Sequence, residues 1–348
     1  MKTLLPLMLV AAFGTSAAHA QTPFTLGGVT APPGTLASGT LRIAPRAGDN
    51  GTEIPFSILN GTRPGPVLAL VAGTHGMEYT PILALQRLRT AIDPRSLTGT
   101  VLMVHVANMP SFLSRTIYYS PADGKNLNRM FPGKADGSLS ERVADVITRE
   151  VITRATHVVD IHCGDGNESL RPYVYWITTG SADVAEAGRK LALASGFDHI
   201  VIDRGRPTDA ANSVYLSNTA ILRGKPALTV ESGYLAHTDE ASIAAIERAV
   251  AGWLRELQMR ADGPPPVAAP VWIDRSEVLT SGVTGIFYPA VERGHSVAQG
   301  TLVGRITDFH GKVLEEVKAP FAGLVLYVLG TPPISKGEPV AFIGRIQK

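Results

Sequence analysis

Cysteine is almost missing from this chain: Cys163 is the only one in 348 residues. An intramolecular disulfide is therefore excluded, and the core must hold the fold in any redox compartment. Net charge is nearly absent as well. With 32 basic and 30 acidic residues balancing to +2, nothing selects nucleic acid or a charged membrane surface as partner. Past the amino terminus no apolar run reaches the roughly 20 residues of a membrane-spanning helix. The 35 glycines and 25 prolines fall mostly in turns between short strands, which excludes a repetitive fibrous tract. What remains is ordinary globular composition, 45% hydrophobic and 18% charged, at a length that suits about two domains.

The amino terminus has a layout of its own. Met1-Lys2-Thr3 leads into apolar residues 4–13 and then Ala18-His19-Ala20, the pattern of a secretory signal peptide. The apolar part is too short for a permanent span. Cleavage is expected after Ala20, so residues 1–20 are read as a signal peptide. The mature chain is expected to be soluble and exported, periplasmic or secreted, with no stable membrane insertion.

The chain is organised around Gly73-Thr74-His75-Gly76-Met77-Glu78, which follows the apolar run Val67-Leu68-Ala69-Leu70-Val71-Ala72. A short run rich in branched residues, closed by glycine, reads as a buried strand. It delivers His75 and Glu78 to the turn beyond its carboxyl end, where open α/β sheets keep their sites. A second such strand ends in Asp160-Ile161-His162-Cys163-Gly164, and a third in Thr229-Val230-Glu231-Ser232-Gly233. One histidine at a strand end is most often structural, and His-x-x-Glu alone is a weak signal. Three strand ends carrying His plus Glu, His, and Glu, each beside glycine, point to a metal site. Two imidazoles and a carboxylate suit Zn²⁺ with a position open for water. His75, Glu78 and His162 are therefore the candidate ligands of one zinc per chain. Asp160 is placed to orient a ligand from behind. Glu231 is placed as general base towards water and then as acid towards the leaving amine. Cys163 is read as a small packed residue, and Asp165 and Glu168 as solvated loop carboxylates.

These motifs, together with Asn126-Leu127-Asn128-Arg129-Met130-Phe131-Pro132-Gly133, resemble the succinylglutamate desuccinylase/aspartoacylase family of the zinc carboxypeptidase-like superfamily. The resemblance covers roughly residues 60–345 in the right order. It implies that His75, Glu78 and His162 bind zinc, that Glu231 is the catalytic acid/base, and that Asn128 and Arg129 hold a substrate carboxylate. A planar arginine fork suits that contact. The family keeps a basic residue somewhat before the catalytic glutamate, and Arg223 is the candidate here. Asn126 departs from the aspartate that aspartoacylase-like members often carry, so the chemistry transfers more firmly than the substrate.

Along the rest of the chain, strand and helix patterns alternate. Strands are expected near residues 41–43, 54–59, 100–107, 173–178 and 199–202. Helices are expected over 81–90, from a Ser140 cap to about 155, over 182–195 and over 238–258. Alternation argues for a doubly wound α/β sheet; with the resemblance, the expected fold is a zinc-carboxypeptidase-like doubly wound mixed sheet with helices on both faces. The polar loop 203–217, with Arg204, Arg206 and Asn212, is read as a wall or lid. The catalytic domain spans 21–260, and residues 261–270 form a proline-rich linker. Beyond it, residues 271–348 carry short β runs with a faint internal repeat, like a small barrel-sandwich of the biotinyl/lipoyl type. The carrier signature around a displayed lysine is missing at Lys318, which argues against a swinging arm. The family resemblance implies instead an all-β domain capping the cleft, and Tyr288 and His310 are read as ordinary residues of it.

The reading is a zinc-dependent amidohydrolase that cleaves a small N-acyl amino acid or related amide. The alternative is a carboxypeptidase or peptide amidase of the same superfamily, acting on peptide or cell-wall fragments. A non-catalytic binding protein is disfavoured by the intact Glu231. The partner is a small N-acyl substrate, and neither its acyl group nor the oligomeric state is legible.

Overall fold

The computed structural model describes residues 20–347; the expected signal peptide lies, but for Ala20, outside the described residues. A hairpin, β1 (Phe24–Leu26) and β2 (Val29–Ala31), precedes two long antiparallel strands, β3 (Thr35–Ile43) and β4 (Thr52–Asn60). Then come β5 (Arg63–Ala72), α1 (Tyr79–Ala91), β6 (Thr98–Val104) and the short α2 (Met109–Ser114). Helix α3 (Leu139–Val146) continues into a π-helical segment (Ile147–Ile152). After it follow β7 (His157–His162), β8 (Glu168–Leu170), β9 (Tyr173–Ile177), α4 (Ala182–Ala194), β10 (His199–Asp203), α5 (Leu216–Ile221), β11 (Ala227–Glu231) and α6 (Glu240–Glu256). The last part is all β: β12 (Val271–Thr280), β13 (Gly285–Pro289), β14 (Ser296–Val297), β15 (Leu302–Thr307), β16 (Val313–Lys318), β17 (Gly323–Leu329), β18 (Pro333–Ile334) and β19 (Pro339–Ile346).

One mixed sheet runs through most of the molecule in the order β14-β17-β19-β12-β10-β9-β11-β7-β5-β6-β4-β3, with β8 paired to β17. At its heart β6, β5, β7 and β11 are parallel neighbours. Their near-continuous apolar sequences follow from being covered on both sides. In β5, Leu68, Leu70 and Ala72 face a core built with α1, α4 and α6. Ala69 and Val71 face the opposite core, built with α3, the π-helical segment and α5. Helices thus lie on both faces of the sheet.

The proline-rich stretch does not interrupt the sheet. Val271, Trp272 and Ile273 of β12 pair in parallel with His199, Ile200 and Val201 of β10, and β19, β17 and β14 extend the same sheet beyond. A four-stranded sheet, β16-β15-β13-β18, packs against these strands around a separate core that includes Phe287, Val303, Ile306, Val325 and Ile343. The carboxy-terminal sandwich therefore shares one of its sheets with the catalytic part.

Two local expectations are corrected. Helix α3 is capped at Ser138, not Ser140. The Glu141 carboxylate reaches back to accept the Ser138 N–H at 2.9 Å, half of a capping box. Ser140 instead donates its N–H and hydroxyl to Asp123, at 2.7 and 2.8 Å. The loop after β10 is interrupted by a single 3-10 turn (Ala210–Asn212) and ends where α5 begins at Leu216. None of the described helices is long and apolar enough to cross a membrane.

Candidate active site

Three adjacent parallel strands end together. Ala72 of β5 lies opposite Ile161 of β7, so the turn that starts at Gly73 opens beside His162. Glu231, the last residue of β11, is the register partner of His162. The turn Gly73–Glu78 curls back over these ends because two glycines allow it. Gly73 takes φ +69°, which an L side chain disfavours. At Gly76 a Cβ would lie 2.3 Å from the Ser111 carbonyl oxygen, so only glycine lets the turn pack on α2. Glu78 then serves as the N-cap residue of α1.

The result is a buried three-residue cluster. The Glu78 carboxylate spans two imidazoles, with Oε1 2.7 Å from His75 Nδ1 and Oε2 2.8 Å from His162 Nδ1. The other ring nitrogens face the protein: His75 Nε2 lies 3.1 Å from Asn126 Oδ1, and His162 Nε2 2.9 Å from Asp160 Oδ2. Such outward partners fix the tautomer of metal-ligating histidines. The donor atoms of His75, Glu78 and His162 lie within 4.8 Å of one another, the one such group among the described residues. Two imidazole nitrogens and one carboxylate oxygen, pointed at a common place and backed by fixed acceptors, fit a divalent metal such as zinc. Burial would raise the Glu78 pKa, but His162 and His75 hold it at about 2. The carboxylate is therefore charged and ready to ligate.

Glu231 is half-buried and lines the same cavity. Burial, opposed by His162 and reinforced by the Glu78 and Glu168 carboxylates, pushes its pKa well above the usual carboxylate range. A carboxyl shifted that way suits a group that must both take and return a proton. Asp165 and Glu168 are not the solvated residues that a loop beside glycine suggests. Asp165 is fully buried, accepts the backbone N–H groups of Tyr118 (3.1 Å) and Gly166 (2.7 Å), and is pushed up to about 7 by burial and Glu78. Glu168 opens β8, lines the cavity and accepts the Tyr118 hydroxyl at 2.7 Å.

The cavity has a volume of about 590 Å³. His75, Glu78, His162 and Glu231 form part of its lining, and Arg129, Arg206 and Tyr215 another part. The Arg129 and Arg206 guanidiniums lie 4.7 and 4.0 Å from the Tyr215 ring centre, and Arg206 Nε is 2.5 Å from Asp203 Oδ2. Asn128 is at the cavity but its amide is engaged: Nδ2 donates to Asp160 (3.3 Å), and Oδ1 accepts the Leu216 N–H (3.0 Å). Arg223 is not brought here. It lies before β11, at the amino end of a strand whose carboxyl end carries Glu231, and it donates to the Thr219 carbonyl. The cationic wall residue is instead Arg206, from the loop after β10. Val278, Tyr327, Pro339 and Phe342 from the carboxy-terminal strands complete the cavity, whereas Tyr288 and His310 are not in its lining. Cys163 is fully buried and lies outside the donor group.

A family model described as the succinylglutamate desuccinylase/aspartoacylase catalytic domain matches residues 64–257. The N-alpha-acetyl-L-2,4-diaminobutyric acid deacetylase of Halomonas elongata is 28% identical over 297 residues, 81% of this chain and 83% of that one. The fold is shared with the product-bound structure of the ectoine utilization protein EutE (DoeB) from Ruegeria pomeroyi, at TM-score 0.79 and 24% identity over 89% of this chain and 95% of that one. It is shared also with an aspartoacylase family protein from Mesorhizobium loti, at TM-score 0.77 and 24% identity over 96% and 100%.

Proposed function

Because the chain belongs to the succinylglutamate desuccinylase/aspartoacylase family, we propose that it is a zinc-dependent amidohydrolase that deacylates a small N-acyl amino acid. The observation that carries this reading is the convergence of His75, Glu78 and His162 with Glu231 at one end of three parallel strands, inside one walled cavity. His75, Glu78 and His162 would hold zinc, which when bound would supply a Lewis acid for the acyl carbonyl and lower the pKa of water. Glu231 accepts the proton of the attacking water and returns it to the departing nitrogen. Arg129 and Arg206 take the substrate carboxylate, which sets the scissile amide over the donors. Asn128 positions Asp160, and through it His162. The substrate of the Halomonas elongata relative, an N-acetyl amino acid, fits this division of the cavity. The wall of Val278, Tyr327, Pro339 and Phe342 argues for a small substrate over the extended chain of a carboxypeptidase. Export of the mature chain is part of the proposal, resting on the leader pattern of residues 1–20; the amino-terminal sequence of the exported protein tests it.

The test is hydrolysis of a panel of N-acyl amino acids and short peptides by purified protein, with and without chelator, beside Glu231→Gln. One metal per chain, chelator-sensitive release of free amino acid and loss of turnover in the metal-bound variant are expected. Cleavage of peptides alone, or turnover indifferent to chelator, sinks the reading.

A further inference from the structure

The segment that follows Glu231 is bonded to the turns that carry the other functional groups. Ser232 donates its N–H to the His162 carbonyl, and the Gly233 carbonyl accepts the Gly164 N–H, both at 3.0 Å. The His237 carbonyl accepts the Thr80 hydroxyl at 2.8 Å, two residues past Glu78. Leu235 donates its N–H to the Glu168 carbonyl at 2.9 Å. Residues 232–237 thus join the turns after Glu78, His162 and Glu231. The segment is not relaxed. Leu235 and Ala236 hold φ +50° and +52°, left-handed values that persist in residues with a side chain only where neighbours over-determine them.

One of those neighbours comes from the carboxy-terminal strands. The Arg293 guanidinium, half-buried in the connection between β13 and β14, lies 3.4 Å from the centre of the Tyr234 ring. Its Nη1 also reaches Ser169 Oγ of β8 at 3.4 Å. The connection is itself tied to β17: Gly294 donates its N–H to the Val325 carbonyl at 2.7 Å, and Val325 donates back to the His295 carbonyl at 2.9 Å. Strand β17 meets the same segment by a second route, because Leu329 pairs with Glu168, whose carbonyl holds Leu235.

We propose that Arg293 is a positioning residue: by clamping Tyr234 it holds the strained segment 232–237, and through that segment it sets Glu231 against the metal donors. The carboxy-terminal strands then brace the reacting groups in addition to walling the cavity. The kinetic consequence rests on the deacylase reading, whereas the clamp itself does not. Arg293 is not in the cavity lining, so its loss should lower kcat and leave KM close to wild type.

The experiment uses the full chain. Hydrogen exchange of the Leu235, Ala236 and His237 amides is measured beside kcat and KM on the N-acyl amino acid cleaved fastest in the panel above. The variants are Arg293→Ala, Arg293→Met, Arg293→Lys and Tyr234→Leu, with folding checked by thermal melting. Arg305→Ala is the control, since Arg305 lies 5.4 Å from the Tyr288 ring in the same β part and outside the cavity lining. Arg293→Ala, Arg293→Met and Tyr234→Leu should speed exchange and lower kcat roughly 2- to 30-fold, the range of one cation–π contact. Arg293→Lys, which keeps a cation, should recover part of both, and Arg305→Ala should change neither. Should Arg293→Ala not fold, Tyr234→Leu carries the comparison. Unchanged kcat in Arg293→Met and Tyr234→Leu, or an equal loss in Arg305→Ala, overturns the positioning role and leaves the deacylase reading intact. Faster exchange in the Arg293 variants, with no acyl compound cleaved by wild type, supports the clamp and sinks the deacylase reading.

Discussion

Asp160 Oδ2 sits 2.9 Å from Nε2 of His162, two residues further along the same strand, and both side chains are buried. Residues i and i+2 of a strand share a face, so the pair is set by β7 itself. Thr74 and Asn128 also donate to this carboxylate, at 3.2 and 3.3 Å, which leaves it little freedom. Holding Nε2 as the protonated nitrogen turns the Nδ1 lone pair to the side of Glu78, where the proposed metal would bind. Asp160→Asn should therefore weaken zinc binding about 10- to 100-fold, read by competition with a chromophoric chelator. Unchanged affinity would mean that the strand alone orients His162.

Tyr215 is the ring on which Arg206 and Arg129 converge. Val214 just before it holds φ +70°, a strained value for a β-branched residue. That strain fits a backbone shaped to present the ring. Arg206→Ala should raise KM about 10- to 100-fold with a smaller change in kcat, because carboxylate binding is shared by ground and transition states. Arg204→Ala, two residues away, exposed and bonded to the Asp274 carbonyl, is the control and should leave KM near wild type. Equal effects of the two would remove Arg206 from the substrate.

The grouping of His75, His162 and Glu231 at one end of the sheet was legible in the sequence because each lies just past or at the end of a short apolar run and within two residues of a glycine. A buried parallel strand leaves that signature regardless of its neighbours, as at His162 and Glu231. Residues whose role depends on neighbours were not legible. Arg223 is close to Glu231 in sequence, but the strand between them carries it to the far edge of the sheet. Arg206 stood out only as part of a polar loop, since nothing local reveals that Tyr215 will lie beneath it. Glu168 next to Asn167 and Gly166 looks like a solvated turn; only the pairing of β8 with β17 encloses it. The joining of β12 to β10 was hidden for the same reason, because strand order belongs to the tertiary fold.

His105 gives a pH test away from the site. Its Nε2 lies 2.8 Å from the Ser57 hydroxyl, while the buried Nδ1 has no partner. Burial and the nearby Arg89 lower its pKa from the ordinary 6.5 to about 4. Between those values the unfolded chain binds more protons than the folded one, so stability falls as pH drops from about 6.5 to about 4. Above that window this residue contributes no pH dependence. The full loss is on the order of 3 kcal/mol. Urea unfolding at pH 7, 5.5 and 4.5 should show the fall, and His105→Gln should flatten it. An identical pH slope in the variant would assign the loss to other groups.

Phe342 is the middle of the cavity wall contributed by the carboxy-terminal strands. It pairs across β19 with Val278 of β12 and with Tyr327 of β17, and all three line the cavity. Its ring lies 6.0 Å from Tyr173 and 6.2 Å from Tyr175, so it packs on two rings that share one face of β9. If this wall limits substrate size, Phe342→Ala should shift the ratio of kcat/KM for N-butyryl over N-acetyl substrates upwards by at least about tenfold, since one methylene in an apolar pocket is worth roughly 10- to 200-fold. Phe342→Leu, which keeps more of the packing, should shift it less, and thermal melting separates the pocket effect from lost stability. An unchanged acyl-length profile in a folded Phe342→Ala protein would place the acyl group elsewhere in the cavity. The wall would then border the amino-acid side chain, and the same variant should alter discrimination among amino acids instead.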